Sequence, residues 1–235
     1  MNRRTLLGGV GVAGLTALSG CLGVVGMDEH EASPGSVEEG VYEDAGYEPS
    51  VVTDIAAEEE VSIGPYSERI SVTNYATEYQ KEVSMGPLGN QSGAIAIVLT
   101  TPQIGVAGQN FNPIEDKSAE EFVEMLEDEY DDISNVSHDE DDEITILGTE
   151  TTRSRFVADA NYDGYDTTID LHVSEAVPTD NDDLLLTMCL YPQDARDDEE
   201  GDAIDMMEGA SSDEETNDTD EDSTDEDDDG VRELL

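Results

Sequence analysis

The chain has 235 residues and carries 60 acidic against 9 basic side chains, which gives a formal net charge of −51 at pH 7. A negative field of this size repels phosphate, so it excludes a nucleic-acid-binding module and a polybasic binder of anionic lipids. The length allows one domain of ordinary size with tails, and with no Trp and three Phe its core must consist mainly of Val, Ile, Leu, Ala and Tyr.

The N-terminus has the pattern of a secretory signal. Arg3 and Arg4 precede an uncharged stretch that is apolar and rich in small residues. Paired arginines in this position indicate the twin-arginine route, which exports folded proteins. We therefore predict a signal peptide over residues 1–20.

Leu18–Cys21 reads Leu-Ser-Gly-Cys and resembles a lipobox. In such lipoproteins the bond before Cys is cut and the new N-terminal Cys carries lipid. Two acyl chains, at about 0.8 kcal/mol per buried CH₂, hold a protein stably on a membrane. We predict lipid on Cys21 and a place on the extracellular face of the cell membrane. The alternatives are an uncleaved membrane helix, which the many glycines disfavour, and a cleaved, unlipidated secreted protein.

The acid load also predicts the solvent. Lys81 and Lys117 are the two lysines of the chain. Self-repulsion destabilises such a chain in dilute buffer, whereas at about 1 M salt the Debye length falls to about 3 Å and the repulsion is screened. We therefore predict a folded protein of a halophile. The alternative, a disordered acidic chain, conflicts with the apolar runs of residues 50–192 but suits the C-terminus.

Composition divides the mature chain into three parts. Residues 21–48 are rich in Gly, Glu and Ser and are predicted to be a flexible tether. Residues 49–210 are predicted to form the domain. Residues 211–235 are mostly acid with Ser and Thr, and we predict a disordered tail.

The first half of the domain reads as strands followed by one helix. Strands are predicted over 51–57, 68–84 and 93–101, with a turn at Gly86–Gly89. Ser118 and Glu121 form a capping box, after which Phe122, Met125, Leu126 and Tyr130 lie on one face of a helix that ends near residue 131. A further strand is predicted over 143–149.

A β-hairpin is the clearest local signal. Asp163-Gly164 suits the positive φ angles of a two-residue type I′ turn. Folding there sets Phe156 opposite Leu171 on an apolar face and Arg155 opposite His172 on a polar face, with Asp170 diagonal to Arg155 and with Ala158 opposite Ile169 and Ala160 opposite Thr167.

A buried central strand over 184–191 and a helix over 198–207 complete the domain. The fold class is α+β: a single domain with a mostly antiparallel sheet and about two helices. Its element order is somewhat similar to the PsbP-like fold.

Several short motifs together resemble one family. They are the export signal with its lipobox, GPLG (86–89), LTTP (99–102), AGQNFNP (107–113), the Asp-Gly hairpin, LHVSEAV (171–177) and YP (191–192). The set is similar to uncharacterised twin-arginine-exported lipoproteins of halophilic archaea, whose domain is one of unknown function. The resemblance implies a surface lipoprotein and brings no activity, cofactor or catalytic residue.

Two acidic segments are weak metal candidates. Asp159, Asn161 and Asp163 match the opening of an EF-hand loop, but Asp170 replaces the Glu of its last position and both flanks alternate as strands do. The hairpin interpretation is therefore preferred. Residues 139–143 (DEDDE) and 225–229 (DEDDD) are interpreted as solvated acidic surface. No cofactor and no metal are predicted.

Cys189 falls in the predicted buried strand and is interpreted as a structural thiol. The alternative is a nucleophile activated by His172. Asn90, Asn135 and Asn217 stand in glycosylation sequons, which export would make available.

These observations predict a non-catalytic, lipid-anchored cell-surface protein of a halophile, in a binding or envelope-structural role. Its partners would be the membrane, through the N-terminal lipid, and a protein or ligand that the sequence does not identify. The alternatives are a carrier of a small ligand or lipophile and, with least support, a secreted hydrolase.

Overall fold

The computed structural model describes residues 29–63, 66–84, 89–103, 105–106, 109–110, 118–123, 133–162 and 165–212. The signal peptide, Cys21, the predicted turn at 86–88, the end of the helix after 123, the Asp163-Gly164 turn and the tail from 213 onward lie outside these residues.

The described part of the chain is mostly strand, with three α-helical segments. The strands are β1 (Glu29–Glu31), β2 (Ser36–Val37), β3 (Glu48–Ile63), β4 (Tyr66–Ser84), β5 (Asn90–Pro102), β6 (Gly105–Val106), β7 (Gln109–Asn110), β8 (Ile133–Ile146), β9 (Thr149–Tyr162), β10 (Tyr165–Ser174), β11 (Val177–Pro178), β12 (Asp183–Pro192) and β13 (Ala210–Ser211). The helices are α1 (Glu39–Ala45), α2 (119–123) and α3 (Arg196–Glu208), and a 3₁₀ turn over Gln193–Ala195 precedes α3.

One nine-stranded sheet organises the domain. Its main path runs β1-β4-β5-β12-β10-β9-β8, with β3 paired to β4 and β11 to β12. The short β1 runs parallel to β4, and the other pairs of this sheet are antiparallel. The α+β class and the mostly antiparallel sheet are therefore confirmed, with three helical segments rather than about two. The PsbP-like resemblance stays a prediction.

Both faces of the sheet are buried. On the face that we call the α3 face, Tyr79, Val98, Leu185 and Tyr191 pack with side chains of α1 and α3. On the opposite α2 face the strands pack with Ala119, Phe122 and Val123. A central strand covered on both sides needs apolar residues at nearly every position, which explains the Leu-rich run of β12.

The hairpin of β9 and β10 has the predicted register. Phe156 pairs with Leu171, Ala158 with Ile169 and Arg155 with His172, and the ladder reaches Tyr162 opposite Tyr165. The polar side of this hairpin faces α3 and is buried, because Asp170 and His172 are both 0% exposed. The capping box is also confirmed: the Ser118 amide donates to Glu121 Oε2 and the Glu121 amide to Ser118 Oγ.

The strand predicted over 143–149 is wrong in both of its bounds. β8 begins ten positions earlier, at Ile133, and ends at Ile146, while Thr149 already opens β9. The early part of β8 was missed because two register shifts, at Ser134–Ser137 and His138–Glu140, break the alternation. Leu147 and Gly148 make the connecting turn, both with positive φ.

The tether prediction is wrong for residues 29–48. β1 pairs with β4, and the segment that follows β1 lies across the α3 face. There Thr77 Oγ1 donates to the Gly35 carbonyl at 2.6 Å and the Val37 amide donates to Tyr79 Oη at 2.9 Å. Strands this short leave no periodic signal, so the segment reads as linker although its apolar residues are buried.

Candidate functional site

A cluster of charged side chains lies between the sheet and the start of α3. On β9, Arg153 and Arg155 are two residues apart, so both point to the α3 face. Arg196 comes from the first residue of α3. We call these three residues and the carboxylates around them the arginine cluster; its carboxylates are Asp139, Glu140, Asp142, Asp170 and Glu200.

Arg155 joins the edge strand β8 to α3. Its Nη2 lies 2.9 Å from Asp139 Oδ2 and its Nη1 lies 3.1 Å from Glu140 Oε1. Nη1 also donates to Glu200 on α3. The Arg155 side chain is 8% exposed, and although burial lowers the pKa of Arg155, the Asp139 hydrogen bond and the Glu200 charge raise it overall. A single buried cation thus neutralises carboxylates from two elements that would otherwise repel each other.

Arg153 lies deeper, with a 3% exposed side chain. Its Nη2 donates to Asp142 Oδ2 at 2.5 Å and to Glu140 Oε1 at 3.3 Å. Its Nη1 donates to His172 Nδ1 at 3.0 Å. The same guanidinium therefore holds the edge strand on one side and an imidazole on the other.

Arg196 binds Asp170 in a two-pronged arrangement. Nε donates to Oδ2 at 2.5 Å and Nη2 to Oδ1 at 2.6 Å. Gln193 Nε2 adds a third donor to Oδ1 at 3.3 Å. The Asp170 hydrogen bonds raise the pKa of Arg196. Asp170 is 0% exposed, and these donors are what such a buried carboxylate requires.

His172 is neutral in this environment. Burial, and then the charges of Arg153, Arg155 and Arg196, lower its pKa to about 3. Because a guanidinium has only donors, Nδ1 accepts from Arg153, and the ring proton is on Nε2, which lies 2.7 Å from Tyr191 Oη. Both ring nitrogens are therefore engaged.

Lys81 holds α3 from the other flank. Its Nζ lies 2.8 Å from Glu199 Oε2 and 2.6 Å from Asp202 Oδ2. Burial lowers the pKa of Lys81, but the contacts with Asp202 and Glu199 raise it overall. Each of the four basic side chains that the structure describes is thus paired with carboxylates, and all four pair with α3 or with elements beneath it.

Most of the fold, from β2 to β13, and the whole arginine cluster lie inside one matched region. A family model described as "Domain of unknown function (DUF6517)" matches residues 34–211. The chain belongs to this family. No curated protein matches the chain. The match begins at residue 34, inside the predicted tether, and ends at β13. It therefore includes β2 and α1, which the structure places before β3.

Cys189 is a buried thiol, as predicted. It is 1% exposed, its Sγ donates to the Ala203 carbonyl at 3.5 Å, and burial raises the pKa of the thiol. His172 is its cross-strand neighbour in the ladder, as the nucleophile hypothesis required. The imidazole, however, is bonded to Arg153 and Tyr191.

The weak metal candidates have other partners. Asp159 Oδ2 accepts from Asn135 Nδ2 at 2.9 Å, and Asn161 Nδ2 donates to Asp166 Oδ1 at 2.7 Å. Asp163 lies outside the described residues. Among the residues with described positions, no group of three or more His, Cys, Asp or Glu side chains could hold a metal ion. The 139–143 segment is mostly exposed, as the solvated-surface interpretation requires, and it also supplies Asp139, Glu140 and Asp142 to the arginine cluster.

The remaining predicted sites lie at the surface or outside the described residues. Asn90 is the exposed first residue of β5, and Asn135 lies in β8 with a positive φ of 55°. Arg3, Arg4, Cys21 and Asn217 are not described. No helix within the described ranges is long and apolar enough to cross a membrane.

The sequence did not reveal Arg153 and Arg196 as partners of buried acids. The scarcity of basic residues was the one sequence feature that could have indicated them. In a chain with 9 basic residues, two arginines at alternating positions on one strand are an unusual concentration. The hairpin register already placed Arg155, Asp170 and His172 on one face. What it could not supply was the helix that covers them.

Proposed function

We propose that this is a non-catalytic lipoprotein of a halophilic archaeon, exported by the twin-arginine route and anchored through Cys21 on the outer face of the cell membrane. Its role there is binding or envelope-structural. The observation that carries the proposal is the lipobox at Leu18–Cys21 behind Arg3 and Arg4.

The distribution of charge supports the halophilic part of this proposal. The described basic side chains, Lys81, Arg153, Arg155 and Arg196, are between 3% and 29% exposed and are all paired. Exposed carboxylates therefore dominate the surface, and concentrated salt screens their repulsion.

The environments of the Cys189 thiol and the His172 imidazole support the non-catalytic part of the proposal. A cysteine nucleophile needs an accessible thiolate and a free base. Cys189 is buried with a raised pKa, and His172 is held in one tautomer by Arg153 and Tyr191.

Mass spectrometry of the mature N-terminus tests the anchor. We expect a chain that begins at a lipid-modified Cys21 and partitions into detergent. Cys21→Ser should abolish the modification, whereas Cys189→Ser should leave it unchanged, and replacing Arg3 and Arg4 by Lys should retain the precursor inside the cell. A mature chain with an unmodified N-terminus, or an intact Met1, contradicts the proposal.

One buried carboxylate favours a carrier as the second candidate. Glu78 is 2% exposed on the α2 face, Gln80 Nε2 donates to its Oε1 at 2.5 Å, and its Oε2 has no hydrogen-bond partner among the described residues. An unpaired buried oxygen of this kind can accept from a water or from a donor group on a small ligand. Native mass spectrometry of the purified protein distinguishes the two, because a carrier retains an organic ligand that Glu78→Ala releases.

A further inference from the structure

Two of the glycosylation sequons lie on described strands, and they differ in how the fold holds them. Residues 90–92 (Asn-Gln-Ser) open β5, and residues 135–137 (Asn-Val-Ser) lie near the start of β8. Both asparagines are exposed. Because the proposed twin-arginine route exports chains that are already folded, an enzyme outside the cell would meet each sequon in its folded geometry. That geometry then determines which sequon can react.

Residues 90–92 lie at the end of the main sheet. On one side of β5 the ladder with β12 ends at Ile95, so residues 90–94 lie beyond it. On the other side they pair with β4, but a register shift leaves Gly93 outside that ladder and separates its last three pairs from the rest. All three residues of the sequon are exposed. A short terminal ladder of this kind opens locally at low cost, which allows the sequon to enter an enzyme cleft.

Residues 135–137 are held in place by their side chains. Asn135 Nδ2, the atom that would receive the sugar, donates to Asp159 Oδ2 at 2.9 Å. Val136 packs against the apolar core of the α2 face, whereas Gln91, at the same position of the other sequon, is exposed. Moving this sequon into a cleft would break the Asn135–Asp159 hydrogen bond and would expose Val136 to water. We therefore expect it to be the poorer acceptor.

The surroundings of Asn90 are also nearly neutral, which is unusual in this chain. Residues 83–114 contain no charged side chain. In the ladder Asn90 is opposite Ser84, and Glu82 is opposite Ser92, two positions from the acceptor.

The other two sequons have carboxylates beside the acceptor itself. Asn135 is bonded to Asp159, and Asn217 is followed directly by Asp218 within a run of acids. The sugar donor for N-linked glycans is an oligosaccharide carried on a lipid phosphate, which is an anion. Carboxylates in direct contact repel such a donor even where concentrated salt screens longer distances.

We propose that Asn90 is the N-glycosylated residue of this protein and that Asn135 and Asn217 stay unmodified. The inference rests on the proposed export, which brings the folded chain to the membrane face where the lipid-carried donor and its transferase act. In the reaction Asn90 Nδ2 forms a bond to the anomeric carbon of the sugar and releases one proton to a base of the transferase. The bond from that carbon to the carrier phosphate breaks, and its electron pair leaves with the phosphate oxygen.

Trypsin separates the three sequons, because each lies on its own tryptic peptide: 82–117, 118–153 and 197–232. The full chain is produced in a halophilic archaeon, purified from its membranes and digested, and mass spectrometry then determines the modification of each peptide. We expect a glycan on peptide 82–117 at least about tenfold more often than on peptide 118–153, because the second sequon requires the costlier local opening.

Variants assign the modification to the sequon. Asn90→Gln and Ser92→Ala should each abolish it, because each removes a group that the sequon requires, and Ser92→Thr should retain it. Asn135→Gln is the matched control and should leave the glycan on peptide 82–117 unchanged. Circular dichroism in molar KCl establishes that the variants are folded.

A change of export route tests the role of the fold. With a signal for the general secretory route, which exports unfolded chains, we expect peptide 118–153 to gain the glycan as well. Equal modification of Asn135 by both routes would overturn the role assigned to the folded geometry.

The lipid and the glycan are measured on the same molecules, so two failures can be distinguished. A lipid-modified chain whose peptide 82–117 is unmodified, or one with the glycan on peptide 118–153 or 197–232 instead, overturns this inference and leaves the proposed anchor intact. A glycan on peptide 82–117 of a chain without lipid supports the inference and contradicts the anchor.

Discussion

Arg153 donates from Nη1 to Nδ1 of His172 across 3.0 Å, in a place where both side chains are almost fully buried. The contact determines the tautomer of the imidazole, because the guanidinium offers only donors. It also opposes protonation, since an imidazolium would stand against three guanidinium groups. A residue whose ordinary pKa lies near 6.5 is thereby kept neutral throughout the physiological range.

This contact predicts a pH dependence of stability. The pKa of His172 is about 3 when folded and about 6.5 when unfolded, so between these values the unfolded state binds more protons. The stabilisation is complete above about pH 6.5 and is lost as the pH falls toward 3, with a slope of at most about 1.4 kcal/mol per pH unit. His172→Gln should remove this component. Denaturant titrations in molar salt between pH 7 and pH 4 measure it.

His138 supplies a control of opposite sign. Its hydrogen bond with Asp141 raises the pKa of His138. That contribution is present below the unfolded pKa and is lost as the pH rises through the folded one. His138→Gln should therefore lose stability at low pH, where His172→Gln gains relative to the wild type. Identical pH profiles for the two variants would contradict the assigned tautomer and charge state.

Removing Arg155 should destabilise the domain by about 2–4 kcal/mol. Arg155→Met leaves Asp139, Glu140 and Glu200 facing one another without their cation, and breaking a buried pair typically costs about 3–5 kcal/mol. The expected loss is smaller here because these carboxylates are between 31% and 42% exposed. Arg155→Lys retains the positive charge but not the several donors of the guanidinium, so it should lower the free energy of unfolding by less than Arg155→Met does. Free energies of unfolding measured in molar salt test this prediction. An Arg155→Met variant as stable as the wild type would show that Arg155 does not stabilise the domain.

A methyl group at Gly35 should be poorly tolerated. A Cβ there would lie 2.7 Å from Val98 Cγ1 and 2.9 Å from Thr100 Cγ2, beneath the segment that crosses the α3 face. Overpacking of this kind costs about 1–3 kcal/mol. Gly40 in α1 has open space around it, so Gly40→Ala should be neutral or stabilising by about 0.5–1 kcal/mol. If residues 29–48 were a loose tether, both variants would unfold as the wild type does.

The fold should depend on ionic screening. With a net charge of −51, we expect the circular dichroism of folded protein in molar KCl or NaCl and its loss on dialysis to about 0.1 M salt, where the Debye length is about 10 Å. Sucrose at the same osmotic strength is the control and should not substitute for salt. Full structure at 0.1 M salt argues against the halophilic proposal.

Cys189 should be unreactive until the protein unfolds. Its burial under α3, where Sγ donates to the Ala203 carbonyl, keeps the alkylating reagent out and also disfavours the reactive thiolate form. Alkylation at neutral pH should be slow in the native protein and fast in denaturant. Rapid labelling of the native thiol would restore the hydrolase hypothesis.

The parts of the fold that were predictable are those that local chemistry determines. Asp163-Gly164 and two alternating flanks define one register for the β9–β10 hairpin, and the unbroken apolar run of β12 indicates burial on both faces. Ser118 and Glu121 identify a helix start because the cap lies within four residues.

The parts that failed depend on contacts between distant segments. β1 and β2 are two or three residues long and become strands only where β4 and β13 accept them. An apolar spacing of four, at Val37, Val41 and Ala45, is compatible with the helix α1. Gly40 and three acids within α1 obscure that pattern. Burial of Arg153 and Arg155 requires α3, which lies some forty residues further along the chain.

The pairing of β2 with β13 sets Ser36 opposite Ser211, so the two ends of the family-matched segment lie side by side. Tension applied between these two points would not shear the nine-stranded sheet. It would unzip a ladder of two residue pairs, one after the other, since both pulling points lie at the same end of that ladder. A load applied at Ser36 and Ser211 is thus taken first by this short ladder, before it reaches the charged side chains beneath α3.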